Sequence, residues 1–285
     1  RTVKNIAEIL EKKETALKYK TKAKEISEAI NYYFYNPDKN TYIDSRQSHL
    51  VLPLIAGVVP EKDISKVETK LKEEILQVQN GHFDTGIHGT YFLVKYLTEK
   101  NFQHLLFTLT SQTSYPSYGE IIERGEITWP EYWSKCNSRV HGCLNGIGGW
   151  FQRGILGIKP DPKKGGYKEF FIKPVFHDSL QWAKGYHVSP YGKINVSWRK
   201  TDKIFSLELT IPNNTIATVF IPLKAESDIL ENNKSIANNE GIQLLGFENN
   251  IAKLRLGSGT YHFKVIPATK KQPLLTTALN TQLKQ

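Results

Sequence analysis

Methionine is absent from all 285 residues, and cysteine occurs only twice, at Cys136 and Cys143. A chain that opens Arg-Thr-Val and contains no methionine is expected to be processed or a fragment, with any localisation signal cut away. The two cysteines have no second C-x-x-C and no His pair near them, so they do not make a zinc site. They leave either one local disulfide, in an exported chain, or two free thiols. No stretch reaches about 18 uninterrupted apolar residues, so no membrane span is expected. No signal peptide is recognisable, and no repeat of fixed period argues for a solenoid.

Nucleic-acid motifs are also missing, although 38 Lys and Arg against 28 Asp and Glu give a formal charge of +10. The lysines are dispersed over stretches such as 11–24 and 62–73, where they alternate with glutamates. That is the pattern of a solvated helix face, and no arginine-aromatic stripe accompanies it. What is plentiful is aromatic: five Trp, fourteen Tyr and thirteen Phe, in a chain long enough to bury a real core. Such a content suits a packed interior, and it also suits stacking against sugar rings.

The first 158 residues read as helices. Leu17, Ala23, Ile26, Ala29, Ile30 and Tyr33 fall at helical spacing over 14–36, stopped by Asn36-Pro37. Further helices are expected near 46–58, 62–78, 86–98, 101–112 and 139–157. Short connections with turn residues, such as Asn80-Gly81, suggest antiparallel helices in a bundle, solenoid or α/α barrel. After Pro160 the texture changes to short alternating runs: GYKEFFIKPV, KINVSWRK, KIFSLELTI, ATVFIP, IAKLRL and TYHFKVIP. Asn, Gly, Pro and Asp separate them, as in an antiparallel β-sandwich. The expected organisation is a helical domain over 1–158, a β-sandwich over 159–267 and a loosely ordered tail over 268–285.

The most unusual loop is 113–142, with aromatic, acidic and His residues and little helix pattern. Within it GEITWPEYW sets Glu131 between Trp129 and Trp133. Glycoside hydrolysis needs two carboxyl groups flanking the scissile bond, and aromatic rings to stack on the sugar. Partial desolvation would raise the Glu131 pKa, while a donor such as Arg139 would hold the carboxylate ionised as a base. Taken singly, a Glu beside a Trp is more often a surface residue with a core neighbour, and a lone His more often a capping or core residue.

GEITWPEYW followed by VHGCLNGIGGWFQRGILGIKPD resembles the C-terminal half of bacterial α-L-rhamnosidases, glycoside hydrolase family 78. Gly125, Thr128, Glu131 and Trp133 fall on the family's G-A-T-T-x-W-E-x-W segment, with Pro130 where its first Trp stands and Trp129 displaced by one. His141, Trp150, Arg153, Gly157, Ile158, Pro160 and Asp161 match the second block. TGIHGTYFLVKYL over 85–97 and TSYPSYG over 113–119 are similar to two further family motifs, and the similarity extends over most of 1–267.

The resemblance implies a partial (α/α)6 barrel of about six helices followed by an antiparallel β-sandwich. It implies an inverting hydrolase releasing terminal α-L-rhamnose, with Glu131 as general base, His141 on the sugar hydroxyls, and Trp129 and Trp133 walling the pocket. It also implies that the general acid lies upstream of Arg1. Of the carboxylates left here, Glu120, Glu123 and Asp84 are expected to be structural or exposed, and Glu126 stands where the family has alanine. The expected partners are a rhamnose-containing glycan and the missing N-terminal part of the same enzyme. No cofactor and no metal are implied, and the family suggests a periplasmic or secreted location. Two readings stay beside this one: a non-catalytic carbohydrate-binding half-barrel, and an α/α-barrel glycosidase acting on another sugar.

Overall fold

The structure, a computed structural model, describes residues 1–135, 137–223, 227–239 and 241–267. Cys136 and the expected tail 268–285 lie outside the described residues. The chain divides into two compact units, Arg1–Ile147 and the residues from Gly148 on.

The first unit is helical: α1 (Thr2–Ile9), α2 (Lys13–Phe34), α3 (Gln47–Ala56), α4 (Ile64–Glu73), α5 (Gly89–Glu99), α6 (Gln103–Thr110) and α7 (Tyr118–Glu123). Helix α2 stops short of Asn36 because that side chain is used in a turn. Its Oδ1 accepts from the amides of Asp38 and Lys39, closing a small hairpin of β1 (Tyr35–Asn36) and β2 (Thr41–Tyr42). The core lies where α3 meets α4 and α5, on Leu50, Val51, Val67, Leu71, Leu93 and Leu97, each fully buried. Gly89 opens α5 because a Cβ there would sit 2.1 Å from Ser48 Oγ, so only glycine lets the two helices approach.

Helix α2 behaves differently. Over 22 residues its one buried residue is Ala16, while Leu17, Ile26, Tyr32, Tyr33 and Phe34 are exposed. Val3, Ile6 and Ile9 of α1, and Leu10 just after it, are exposed beside it in sequence. The apolar spacing that predicts α2 is real, yet of that set only Ala23 and Ile30 are half-buried: α2 packs against α1 and Asn31 donates to the Val58 carbonyl, while Leu17, Ile26 and Tyr33 stay exposed.

The helix expected over 139–157 is shorter than its pattern. Residues 138–141 belong to no helix or strand, and α8 covers only Gly146–Trp150, continued by a π turn over Phe151–Ile155. The reason is backbone pairing: the His141 amide donates to the Trp129 carbonyl at 3.0 Å, and the Glu131 amide to Ser138 at 3.1 Å. These groups are spent across the loop rather than along a helix. Helix α7 arises inside the stretch that shows little helix pattern because Ser117, fully buried, caps it by accepting from the Glu120 amide.

The second unit is a sandwich of two sheets. One holds six strands in the order β10 (Lys234–Ser235), β9 (Ser227–Glu231), β13 (Gly259–Pro267), β7 (Phe205–Ile211), β6 (Gly192–Lys200) and β5 (Trp182–Ser189). The other holds β11 (Ile242–Glu248), β12 (Ile251–Leu256), β8 (Ile216–Pro222), β4 (Glu169–Ile172) and β3 (Ile158–Pro160). All pairs are antiparallel except β4 with β8, which run parallel. Inward residues of both sheets, among them Val196, Trp198, Leu207 and Phe263 facing Ile172, Val219 and Leu254, form one core. Residues before Pro160 join this unit: Trp198 Nε1 donates to the Ile155 carbonyl, and Lys173 and Val175 donate to Gly157 and Gly154.

Candidate active site

The loop 80–88, the turn before α7 and the loop 124–145 are held together by an aromatic cluster. Trp133 is buried, and its indole N–H donates to the Thr85 carbonyl at 2.7 Å. Its ring stacks on Phe83 at 4.9 Å and meets the edge of Tyr118 at 5.1 Å. Trp129 meets Tyr118 from another side at 5.0 Å. The buried Tyr118 hydroxyl donates to the Leu144 carbonyl at 2.6 Å, and burial pushes that phenol far above its ordinary range. Two Trp, one Phe and one Tyr thus weld three loops before any ligand is considered.

The loop 80–88 is fixed from behind. Gln47, fully buried on α3, donates to the His82 carbonyl and accepts from the Asp84 amide. Thr90 of α5 donates to the Gly86 carbonyl at 2.9 Å, and its hydroxyl lies 2.8 Å from that of Thr85. On the other side Gly119 is required, because a Cβ there would lie 2.3 Å from the Gln112 carbonyl oxygen.

Between these walls is a cavity of about 170 Å³, lined by Gly86, Ile87, Tyr115, Glu131, Tyr132, Trp133, Ser134 and Leu144. Glu131 is half-buried at its edge, its backbone clipped to Ser138. Of the four residues singled out in the sequence, Glu131 and Trp133 line this cavity. Trp129 packs on Tyr118, and His141 reaches the site through its backbone bond to Trp129, its Nδ1 lying 3.6 Å from Cys143 Sγ. Cys143 carries a free thiol; the question of its pairing with Cys136 falls outside the described residues. Arg139 does not serve Glu131 as expected: its guanidinium is exposed and lies 4.0 Å from Glu126.

The other carboxylates have other surroundings. Glu120 pairs with Arg124 at 3.4 Å, and Glu123 is exposed. Asp84 carries a buried Oδ2 without a hydrogen-bond partner, and burial pushes its carboxyl above the usual range, Asp44 adding to the shift and Arg46 and His49 opposing it. Asp44 is held low by the hydrogen bond from His49. Sequence reasoning missed Tyr115, Tyr132, Gly86 and Ile87 as lining residues. Tyr115, Gly86 and Ile87 sit inside the YPSYG and TGIHGT motifs, which was the available signal. Among the described residues no three His, Cys, Asp or Glu side chains are grouped as a metal would require.

Two family models match the chain, and the order of their parts decides its membership. Residues 1–155 match the bacterial alpha-L-rhamnosidase 6 hairpin glycosidase domain, and residues 157–235 the bacterial alpha-L-rhamnosidase C-terminal domain. The chain belongs to the bacterial alpha-L-rhamnosidase family. It is similar to an alpha-L-rhamnosidase of Formosa agariphila, 29% identical over 90% of this chain and 29% of the relative. An alpha-L-rhamnosidase of an Alteromonas species is 31% identical over 73% of this chain and 24% of its own length. The solved alpha-L-rhamnosidase structure from Dictyoglumus thermophilum superposes with a TM-score of 0.82 at 28% identity, covering 92% of this chain and 30% of that one. The chain therefore spans less than a third of the length of these rhamnosidases, with a helical part and a β-sandwich in the family's order.

Proposed function

We propose that this chain carries the general-base side of the active site of an inverting α-L-rhamnoside hydrolase. Glu131 accepts a proton from a water molecule as that water attacks the anomeric carbon from the face opposite the leaving group. A carboxylic acid outside this chain protonates the departing glycosidic oxygen, so one proton enters the base as another leaves the acid. The two groups stand roughly 6.5–9.5 Å apart in enzymes of this stereochemistry, which leaves room for the water. His141 and Trp129 complete the sugar contacts.

The observation that carries the reading is Glu131 at a cavity walled by Tyr115, Tyr132 and Trp133. Its volume, about 170 Å³, falls below the roughly 300–1,000 Å³ of complete ligand pockets, which supports a site that further chain completes. The exposed apolar residues of α1 and α2, among them Ile6, Leu17, Ile26 and Tyr33, support the same view. An apolar helix stripe is stable in water only against another element, and a six-hairpin domain supplies further helices for it. The partner of this face is accordingly the remaining helical hairpins of the same domain.

Release of p-nitrophenol from its α-L-rhamnoside tests the reading. Little or none is expected from the purified chain alone, and rapid release from the chain joined to the hairpins that complete its domain. Loss of that release in Glu131→Gln supports the base; rapid release by the isolated chain overturns the incomplete-site reading. A non-catalytic sugar-binding protein is the second reading. It gains support if the completed domain binds L-rhamnose but hydrolyses no rhamnoside.

A further inference from the structure

Strand β5 is one edge of the six-stranded sheet, and its residues alternate between two different surroundings. Ala183, Gly185 and His187 turn inward. A Cβ at Gly185 would lie 2.5 Å from a Leu156 methyl, and the His187 ring lies 4.2 Å from that of Tyr167 while its Nδ1 meets Gln152 at 2.7 Å. These contacts lock the register, since a slip of one residue would exchange the two faces. Trp182, Lys184, Tyr186 and Val188 are thereby committed to the outer face, with Trp182 and Tyr186 each 56% exposed.

The neighbouring strand adds positive charge. Across from Trp182 stands Arg199, across from Tyr186 stands Asn195, and across from Val188 stands Lys193, whose ammonium lies 3.7 Å over the Tyr186 ring. Glu208 of β7, in register with Ser197 of β6, lies 4.0 Å from His262 of β13.

We propose that the outer face of β5 and β6 is a second carbohydrate-binding surface, taking linear polysaccharides that bear carboxylate or sulfate groups. Two aromatic rings four residues apart on one strand stand about 13 Å apart, which sets them under non-adjacent sugars of a single extended chain. The Trp182 face takes the C–H face of one sugar, the Tyr186 face takes another as the Lys193 ammonium swings off that ring, and Lys184, Lys193 and Arg199 take the anionic groups between. A charged edge alone would blunt strand pairing, but that device does not call for an exposed Trp and Tyr. A second copy of this chain is disfavoured, because a two-fold contact would set these cations against themselves. The choice of a glycan over another anionic polymer rests on the carbohydrate reading of the chain; the surface itself shares no residue with the Glu131 cavity.

Affinity electrophoresis and calorimetry of the whole chain test this, with polygalacturonate and chondroitin sulfate against neutral dextran and an oligothymidylate. Retardation by the two anionic glycans and little by dextran is expected. Trp182→Ala and Tyr186→Ala each weaken binding about tenfold, equivalent to about 1.4 kcal/mol. Lys184→Glu with Arg199→Glu abolishes it, whereas Lys20→Glu with Lys24→Glu on α2, the same change in net charge, leaves it intact. Glu131→Gln also leaves it intact, which separates this surface from the proposed catalytic site. Unaltered thermal midpoints exclude misfolding of these exposed variants. Equal binding of dextran, tighter binding of the oligothymidylate, no binding at all, dimers abolished by Trp182→Ala, or equal loss in the α2 variant overturns the proposal.

Discussion

Trp133→Phe separates two roles that the sequence joins, since an indole in a sugar-binding loop is either a platform for ligand or a structural strut. Trp133 is 7% exposed, stacked on Phe83, and its N–H supplies the Thr85 carbonyl, a residue itself 3% exposed. Phenylalanine keeps most of the ring contact and removes that donor. Removing the short bond leaves that buried carbonyl with only the Thr90 hydroxyl, at 3.3 Å, and costs about 1 kcal/mol or somewhat more. Trp133→Ala adds a cavity and costs about 3–5 kcal/mol. With a slope of about 1–3 kcal/mol per molar urea, the Phe variant moves the unfolding midpoint of the helical unit down by up to about 1 M, and the Ala variant by more. The assay is circular dichroism at a helical wavelength during urea unfolding, read beside a separate probe of the β-sandwich, because a two-unit chain need not unfold in one step. A Phe variant at the wild-type midpoint refutes the strut, and so does an Ala variant that loses under about 1 kcal/mol.

Asp84→Asn is expected to raise the thermal midpoint at pH 7. A carboxyl raised by burial opposes folding as pH climbs above its ordinary value of 3.8, so the gain vanishes in acid below that value, and thermal melts across pH show it. His187 is pushed below its ordinary 6.5 by burial, with Arg153 adding to the shift; the sandwich therefore loses stability as pH falls through 6.5, and His187→Gln flattens that slope in melts of the β unit. Leu17→Lys with Ile26→Lys on α2 is expected to change the chain's stability by no more than about 0.5 kcal/mol per site, since both side chains are exposed. The same pair weakens association with the hairpins that complete the domain, which size-exclusion chromatography of the mixture reads.

The helices and most strands were legible because their side chains obey simple periods. Leu207, Leu209 and Ile211 alternate on β7, and Leu93, Val94 and Leu97 recur on α5. What the pattern could not show was where backbone groups go. Residues 139–141 read as the start of a helix until the His141 amide is seen donating to the Trp129 carbonyl, and the Ser138 carbonyl before them accepting from the Glu131 amide. Strand β5 escaped the pattern because Gly185 interrupts it and its outer face carries Trp182 and Tyr186 in place of polar residues. At the site, Glu131 and Trp133 were visible as an odd juxtaposition, whereas Tyr115 reaches the cavity only through tertiary folding. Apolar periodicity in α2 predicts burial, but it does not say that the burying element lies among these residues.

The claim that Glu131 is a general base acting by inversion is tested most directly by chemical rescue. In the completed domain, Glu131→Ala is expected to lower turnover of p-nitrophenyl α-L-rhamnoside by about 10²–10⁴-fold. Added azide, an anion that needs no base, then restores turnover and yields a rhamnosyl azide of inverted anomeric configuration by NMR. Undiminished turnover in Glu131→Ala without azide, or an azide product of retained configuration, contradicts the account.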